Sequence, residues 1–561
     1  MTRARDLADS ADKDIAGTLT LDGLTVAGNV SVDSGTVKLD GNYPTGTGNV
    51  ALGNVALDDA GLTGANNTAI GNNAASANTS GAENTVAGSS AFATNTTGGQ
   101  NVAVGRSALN ANTTASNNTA VGYAALTDNT TGVNNVAVGS LALDANTTAS
   151  KNTAIGQAAL GANTTGASNT AVGQGSLQVN TTASNNTALG VDALGANTTG
   201  TNLVAVGKSA LTANTTGNNN SAVGLNAMES NTTGAENSSL GTGALAANTS
   251  GNHNVAVGRQ ALTANTTAAS NTAVGSKSLV SNTTGAQNTA IGRNALFNNT
   301  TANNNTAVGY QAMLNNTVAV DNTAIGVNAL KTNTAGQNNV AIGPRALEDL
   351  NHTTGNIYNT AVGSNAGKDV TSGTQNTMLG GNTGSTLRTG DNNTLIGYGT
   401  NVDNSGRDGA VALGNNLGTH AANSSFRVIG SNGVYHTGNT STWSTTSDRR
   451  IKKNIADSTV GLAEINQIQV RTFEYRTADE ITDADLQAYD LEDLAIDKTG
   501  TQVGCIAQEL NEIIPSAVTT DDRGVYNVQG DELKWHLIKA VQELSAKNDE
   551  LEARIAALEA N

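Results

Sequence analysis

The sequence predicts a mainly β protein, a parallel β-roll or solenoid of 17-residue repeats, followed by a small α+β domain that ends in a long helix. Three observations predict it. A glycine returns every 17 residues in sixteen unbroken steps from Gly71 to Gly343; after a three-residue insertion around Leu350 to Thr354 the phase resumes at Gly363, Gly380, Gly397 and Gly414. Each unit divides in the same way, as in NTAVGYAALTDNTTGVN at 118–134, into an apolar stretch, a small-residue bend and a polar turn. After about residue 440 glycine thins out, charge rises, and mixed helix and strand patterns replace the repeat.

A fixed short period without slippage is the signature of a solenoid. A continuous helix fails, because a unit of this length at about 100° per residue does not return to the same face. A strand passes: in NTAVG, alternation puts Thr119 and Val121 on one face and Ala120 on the other. Gly122 gives freedom to bend, Ala125 and Leu126 form a second apolar piece, and Asn129, Thr130, Thr131 and Gly132 read as a turn. One coil per unit follows, with Val, Ile and Leu stacked inside and ladders of Asn and Thr at the corners. Coils spaced about 4.8 Å apart would make a column roughly 95 Å long. Its core would be thin, and the recurring Ala suggests close approach of another surface. We therefore expect a homotrimer with the Ala faces packed on neighbouring chains; a monomeric solenoid is the alternative.

Composition agrees. Aromatic residues are 3% and there are three prolines, too little bulk for one thick core, whereas a narrow column needs only small side chains. A polar, Gly-rich composition alone would also fit disorder, which a strict repeat argues against. The formal net charge of −17 argues against nucleic acid as a partner. The single cysteine, Cys505, excludes an internal disulfide framework. His253, His352, His420, His436 and His536 are scattered, so no metal site and no cofactor is expected. With no run of about 18 apolar residues, no membrane insertion is expected. The opening MTRARDLADSADKDIAG lacks the apolar run of a secretory signal, so assembly in a cytoplasm is expected. The NTT and NNT triplets are formal glycosylation sequons that recur because the turn recurs. No GxxxxGK(S/T) phosphate loop or calcium-binding nonapeptide pattern occurs.

Residues 16–42 alternate apolar and polar between Gly and Asp turns and read as short strands, with 3–14 a candidate short helix around Leu7. Near the C-terminus, Leu537, Val541, Leu544, Asn548, Leu551, Ile555 and Leu558 alternate spacings of four and three. That is a heptad, with Asn548 at a polar core position able to fix register, so an oligomeric coiled coil is expected; packing on its own domain is the alternative. The expected division is residues 1–52 for attachment, 53–414 for the shaft, 415–446 for a tip or linker, and 447–561 for the C-terminal domain.

The unit NTAVGxxAL resembles the head repeat of trimeric autotransporter adhesins of the YadA type over residues 71–414, with a longer turn here. The resemblance implies a trimeric parallel β-roll. The C-terminal run WSTTSDRRIKKNI, VRTFEYR (470–476) and QVGCIAQELNEIIPSAV (502–518) resembles the intramolecular chaperone domain of bacteriophage endosialidases, tail spikes and neck appendages, a self-cleaving peptidase family. That resemblance implies a Ser–Lys dyad, with Ser447 as nucleophile, Lys452 as base, and cleavage between Thr446 and Ser447. Serine needs a partner to take its proton, and a lysine serves only if burial or nearby positive charge lowers its pKa. Arg449, Arg450 and Lys453 supply positive charge. Positions five apart do not share a helical face, so Ser447 must sit in a loop or meet Lys452 of another chain. Without the resemblance, Ser447 and Asp448 would read as caps of a basic helix.

The expected function is that of a phage tail fibre: a structural virion protein that mediates host-cell recognition through a glycan or protein receptor. Its N-terminus would bind tail or baseplate proteins, and its C-terminal domain would direct trimerisation before release by autoproteolysis. A terminal clamp answers a physical problem, since near-identical coils can pair one unit out of register at small cost. A trimeric surface adhesin and an ice-binding solenoid with stacked threonines are alternatives. A glycan-degrading tail spike would need paired carboxylates and stacking aromatics, which the repeats scarcely offer. Residues 415–442 break the repeat, and Phe426 and Tyr435 there make a receptor-contacting tip an expectation.

Overall fold

A computed structural model describes residues 47–353, 355–416, 426–428, 434–436, 449, 453–477, 480–482, 500–520 and 524–560. The strands and helix expected within residues 1–46 lie outside these, as do most of 415–446, Ser447 and Lys452. The chain divides into two units, the first ending at Thr445 and the second starting at Thr446.

The first unit is a parallel β-solenoid of 17-residue coils. Twenty-two three-residue strands, from β1 (Val50–Leu52) to β22 (Val411–Leu413), pair in parallel, each with the next. Register is fixed residue to residue, as in Thr119↔Val136, Ala120↔Ala137 and Val121↔Val138. A ladder of that many rungs at about 4.8 Å spacing is roughly 100 Å long. β23 (Phe426–Val428) adds a further parallel rung on β22, and β24 (Val434–His436) turns back antiparallel against it.

The interior corrects one expectation. In each regular coil the middle strand residue faces inward: Ala120, Ala137 and Ala154 are fully buried, while Val121 and Ile155 flank the solvent side. The inward partners are the second apolar piece, Ala125 and Leu126, both fully buried. Val and Ile are therefore outside and Ala inside, the reverse of the expected arrangement. The reason is size: two walls of a narrow coil already close on a Leu from one side, leaving room for only a methyl from the other. The Ala faces are used up within the chain and are not free to pack on neighbours.

Backbone geometry explains which residue types recur. The repeat glycines hold φ near +137°, and a Cβ on Gly122 would collide with the Gly139 carbonyl oxygen of the next coil. Three other positions per coil are left-handed, as at Asn117, Ala124 and Leu126 with φ of 60°, 52° and 56°. A β-branched side chain is excluded from such a backbone far more strongly than a γ-branched one. From Phe92 onward the buried position of Leu126 is accordingly filled by Leu, Met or Phe as far as Leu347, never by Val or Ile.

Two buried asparagine ladders run beside this apolar strip. The Asn129 side-chain amide donates to Asn112 Oδ1 at 3.1 Å and to the Gly132 carbonyl at 3.0 Å, closing the expected Asn-Thr-Thr-Gly turn. In the second ladder the Asn118 amide donates to the Gly132 carbonyl, while Asn118 Oδ1 accepts the Asn135 backbone N–H at 2.9 Å. Nearly every buried amide of the ladders thus meets donors and acceptors of its own and the adjoining coils, as burial of a polar group requires; Asn316 Oδ1, just before the insertion, is an exception. After the insertion the interior changes: Leu350, Val370 and Leu387 take the place of the first ladder's Asn. There Gly367 and Gly384 stand where Leu126 stands in its coil, and Met378 fills the space above both. Volume is conserved while its source switches walls.

Candidate functional site

Ser447 and Lys452 lie outside the described residues; the described part of the second unit follows them in the chain. Its framework is formed by the segments that the sequence had set in order. β25 (Arg471–Phe473) pairs antiparallel with β26 (Gln502–Gly504), and β27 (Val518–Thr520) with β28 (Tyr526–Val528). Between them run a two-turn helix, Ala507–Ile513, and the Pro515–Ala517 turn, whose proline sits at the helical start where no N–H is needed. Leu510, Ile514 and Ala517 are the buried centre, with Val460, Ile465, Ile468, Cys505 and Leu533 packed around them. The guanidinium of Arg471 grips Glu509 at 2.8 and 3.2 Å, and that carboxylate raises the arginine's pKa.

Residues 453–468 lead from the expected cleavage point into this core and are pinned to the long helix Gly530–Glu559 at two places. Ser458 Oγ is hydrogen-bonded to His536 Nδ1 at 3.2 Å. The Leu462 backbone N–H donates to Glu543 Oε2 at 2.8 Å, so a carboxylate from a residue 81 positions away caps the one-turn helix Leu462–Ile465. Glu464 completes the cap by accepting from the Gly461 N–H at 2.9 Å, and that bond lowers its pKa. A Cβ on Gly461 would meet the Glu543 carboxylate, so a side chain there would displace that cap. His536 is buried, and its Nε2 stands 3.7 Å from Glu532 Oε1, beyond hydrogen-bond reach.

The long helix therefore shows two stripes. Leu533, His536, Ala540 and Glu543 face the domain. The heptad residues Leu537, Val541, Leu544, Leu551, Ile555 and Leu558 are all more than half exposed within the single chain. The heptad stripe is not packed on its own domain. Glu543 and the Ser458–His536 pair were missed by sequence reasoning; only the helical spacing of Leu533, His536, Ala540 and Glu543 carried a signal, and it is masked by the stronger Leu heptad beside it.

Among the described residues no three His, Cys, Asp or Glu side chains stand close enough to hold a metal ion, and no helix is long and apolar enough to cross a membrane. His253 is exposed and lies 3.0 Å from Glu236 of the coil beneath.

Residues 447–519 match the family model described as the chaperone of endosialidase, a peptidase family. No curated protein matches the chain. The protein thus carries an endosialidase-type chaperone segment behind a long parallel β-solenoid.

Proposed function

We propose that this chain is the trimeric shaft of a bacteriophage tail fibre, delivered with its own folding clamp and parted from it by self-cleavage. The observation that carries the reading is a coincidence of boundaries. The two units divide between Thr445 and Thr446, and the matched chaperone segment begins one residue later, at Ser447. A peptidase-family segment that begins one residue past the division of the units is placed as a self-releasing tail would be.

In this reading Ser447 Oγ attacks the Thr446 carbonyl carbon while Lys452 takes its proton. The C–N bond breaks as the ester forms, the proton passes to the departing Ser447 amine, and water hydrolyses the ester. Lys452 acts as base only while uncharged, which the flanking Arg449, Arg450 and Lys453 favour. The free heptad stripe brings three chains together first, and the coils then wind in a common register. Host attachment, the N-terminal docking partner and a receptor-contacting tip at 415–446 belong to the same reading by position.

The test is the intact mass under denaturing conditions. Wild type is expected to yield fragments ending at Thr446 and beginning at Ser447, while Ser447→Ala and Lys452→Ala remain full length. Full-length wild type that is trimeric in its native state would leave a permanent clamp and remove the self-cleavage. Cleavage that persists in Ser447→Ala would remove the assigned nucleophile.

A further inference from the structure

The two positions after the repeat glycine differ in charge from the rest of the coil. Between residues 47 and 416 they hold six cations, Arg106, Lys208, Arg259, Lys277, Arg293 and Arg345, and one acid, Asp192. All other positions of that stretch together hold five cations and fourteen acids. The cations are densest in the middle of the column. Between Glu236 and Asp321 the chain has no acid, yet it carries Arg259, Lys277 and Arg293 in three consecutive coils, followed by Tyr310 in a fourth. Backbone bonds stack these four segments directly. The Lys277 N–H donates to the Arg259 carbonyl at 2.9 Å, that of Asn294 to Ser276 at 3.2 Å, and that of Gln311 to Arg293 at 3.1 Å. Arg259 and Arg293 are exposed, Lys277 is half-buried, and Tyr310 is 41% exposed. Among the described residues no carboxylate forms an ion pair with any of the three cations.

We infer that the stretch from Arg259 to Tyr310 is a binding site for a linear acidic polysaccharide, which lies along the column with its carboxylate or sulfate groups on Arg259, Lys277 and Arg293. The inference rests on the tail-fibre reading for the source of that polymer, a host surface, and adds a contact on the flank of the shaft. Three features select the ligand. The cations form a line and not a pocket: coils rise by about 4.8 Å, so the coils of Arg259 and Arg293 stand roughly 10 Å apart, with that of Lys277 between them. A polymer with charge at intervals meets all of such a line, whereas a small anion meets one step of it. The cations also lack acids beside them in a column that is acidic elsewhere, so their field is local and draws an anion to this edge. The far end of the line suits a sugar. Arg293 lies over the Tyr310 ring at 5.8 Å, a stacking that uses the face of the guanidinium and leaves its N–H edge for an anion. Gln260, beside Arg259, and Gln311, beside Tyr310, bring amide donors and acceptors for hydroxyl groups. A single-stranded nucleic acid shares the charge, but it calls for a row of stacking aromatics where this edge has one.

The test measures binding of dextran sulfate, neutral dextran and polyglutamate to the full-length protein at low ionic strength, where exposed charges are least screened. Three variants stand beside wild type. Arg259→Ser/Lys277→Asn/Arg293→Ser sets at each position a residue that other coils hold there, as at Ser89, Asn226 and Ser140, so the coils are kept. Arg106→Ser removes a cation from a distant coil, and Tyr310→Ser removes the ring. Wild type is expected to bind dextran sulfate and not dextran, which has the same sugar backbone without the charge. The triple variant should lose at least tenfold in affinity for dextran sulfate, and Arg106→Ser should lose none. Tyr310→Ser should weaken dextran sulfate more than polyglutamate. Wild type that fails to bind dextran sulfate, or a triple variant that binds it equally well, would overturn the site. Polyglutamate bound as tightly as dextran sulfate, with Tyr310→Ser affecting neither, would overturn the polysaccharide and leave a surface for any polyanion. Native and fragment masses of the same samples keep the two readings apart. Uncleaved, monomeric wild type that binds would remove the fibre and leave the site, and a cleaved trimer that does not bind would do the reverse.

Discussion

The two units handle their unpaired surface in opposite ways. In the solenoid each regular coil encloses its own interior: an Ala, a large apolar residue, mostly Leu, and two asparagine rungs bonded to the adjoining coils. What it leaves outside is an uncharged strip of Thr and Val, with Ile or Leu in some coils. The described residues of the C-terminal unit enclose little. Among the described residues its buried cluster is three residues, and its long helix leaves the apolar heptad residues more than half exposed. A structure built of repeated local closures holds once wound but carries no mark of where winding should begin. A structure with a large unsatisfied stripe is poor at standing alone and good at finding copies of itself. In the function proposed above, the first unit holds the register and the second chooses it.

Substitutions can break that contrast, and the largest effect is expected at the repeat glycine. Gly139→Ala places a Cβ 2.5 Å from the Gly156 carbonyl oxygen at a φ of +137°. Strain of about 1–3 kcal/mol plus that overlap should open the ladder around the coil. Limited proteolysis should show new cuts confined to the neighbouring coils. Next comes the polar ladder. Asn146→Ala removes the donor to Asn129 Oδ1 and the Ala149 carbonyl, and the acceptor for the Asn163 amide. Leaving those groups buried and unpaired should cost about 3 kcal/mol, read as a lowered denaturation midpoint. Leu126→Val should follow at about 2 kcal/mol, because it removes buried volume and sets a β-branched residue at a φ of 56°. The same change at Leu189, on the outward strand face, should leave the coil's own stability nearly untouched.

In the second unit, Glu543→Gln weakens the cap on Leu462 by about 1 kcal/mol, since a charge-assisted bond becomes a neutral one. Melting of that unit should shift while the solenoid transition stays in place. The smallest effect is expected at Asp144. Partial burial, and then the neighbouring Asp128, raise its carboxyl pKa. A raised carboxyl favours the folded state when protonated and loses that contribution as pH rises through the folded-state pKa. Asp144→Asn should therefore stabilise slightly at neutral pH, and the gain should vanish once the pH is low enough to protonate the aspartate in both the folded and the unfolded chain.

Much of the fold was legible because the repeat is its own alignment. The period, the bend at Gly122, the turn from Asn129 to Gly132 and the parallel coil all follow from comparing unit with unit. The orientation of the strand was not read correctly, because hydrophobicity ranks Val above Ala for the inside. The corrective signal was present: the middle position stays Ala through most coils, as at Ala103, Ala120 and Ala137, while its outward neighbour drifts among Val, Ile and Leu. A position held to one size faces a tight wall; one that drifts faces space. The switch to Met378 and Leu387 after the insertion escaped notice because it depends on which wall supplies the volume, a relation between residues many positions apart. The Ser447 and Lys452 assignment came from resemblance to a family motif, since proximity of two side chains in a loop is not written in spacing.

The central claim is that the solenoid holds a register that only the C-terminal unit can set. It is tested most directly by producing residues 1–446 alone beside the full-length chain and comparing native mass and resistance to protease. The account predicts that the full-length chain yields a protease-resistant trimer of the released fragment, whereas 1–446 alone gives aggregates or a ladder of misaligned species. A resistant trimer from 1–446 alone, formed in equal yield, would contradict it.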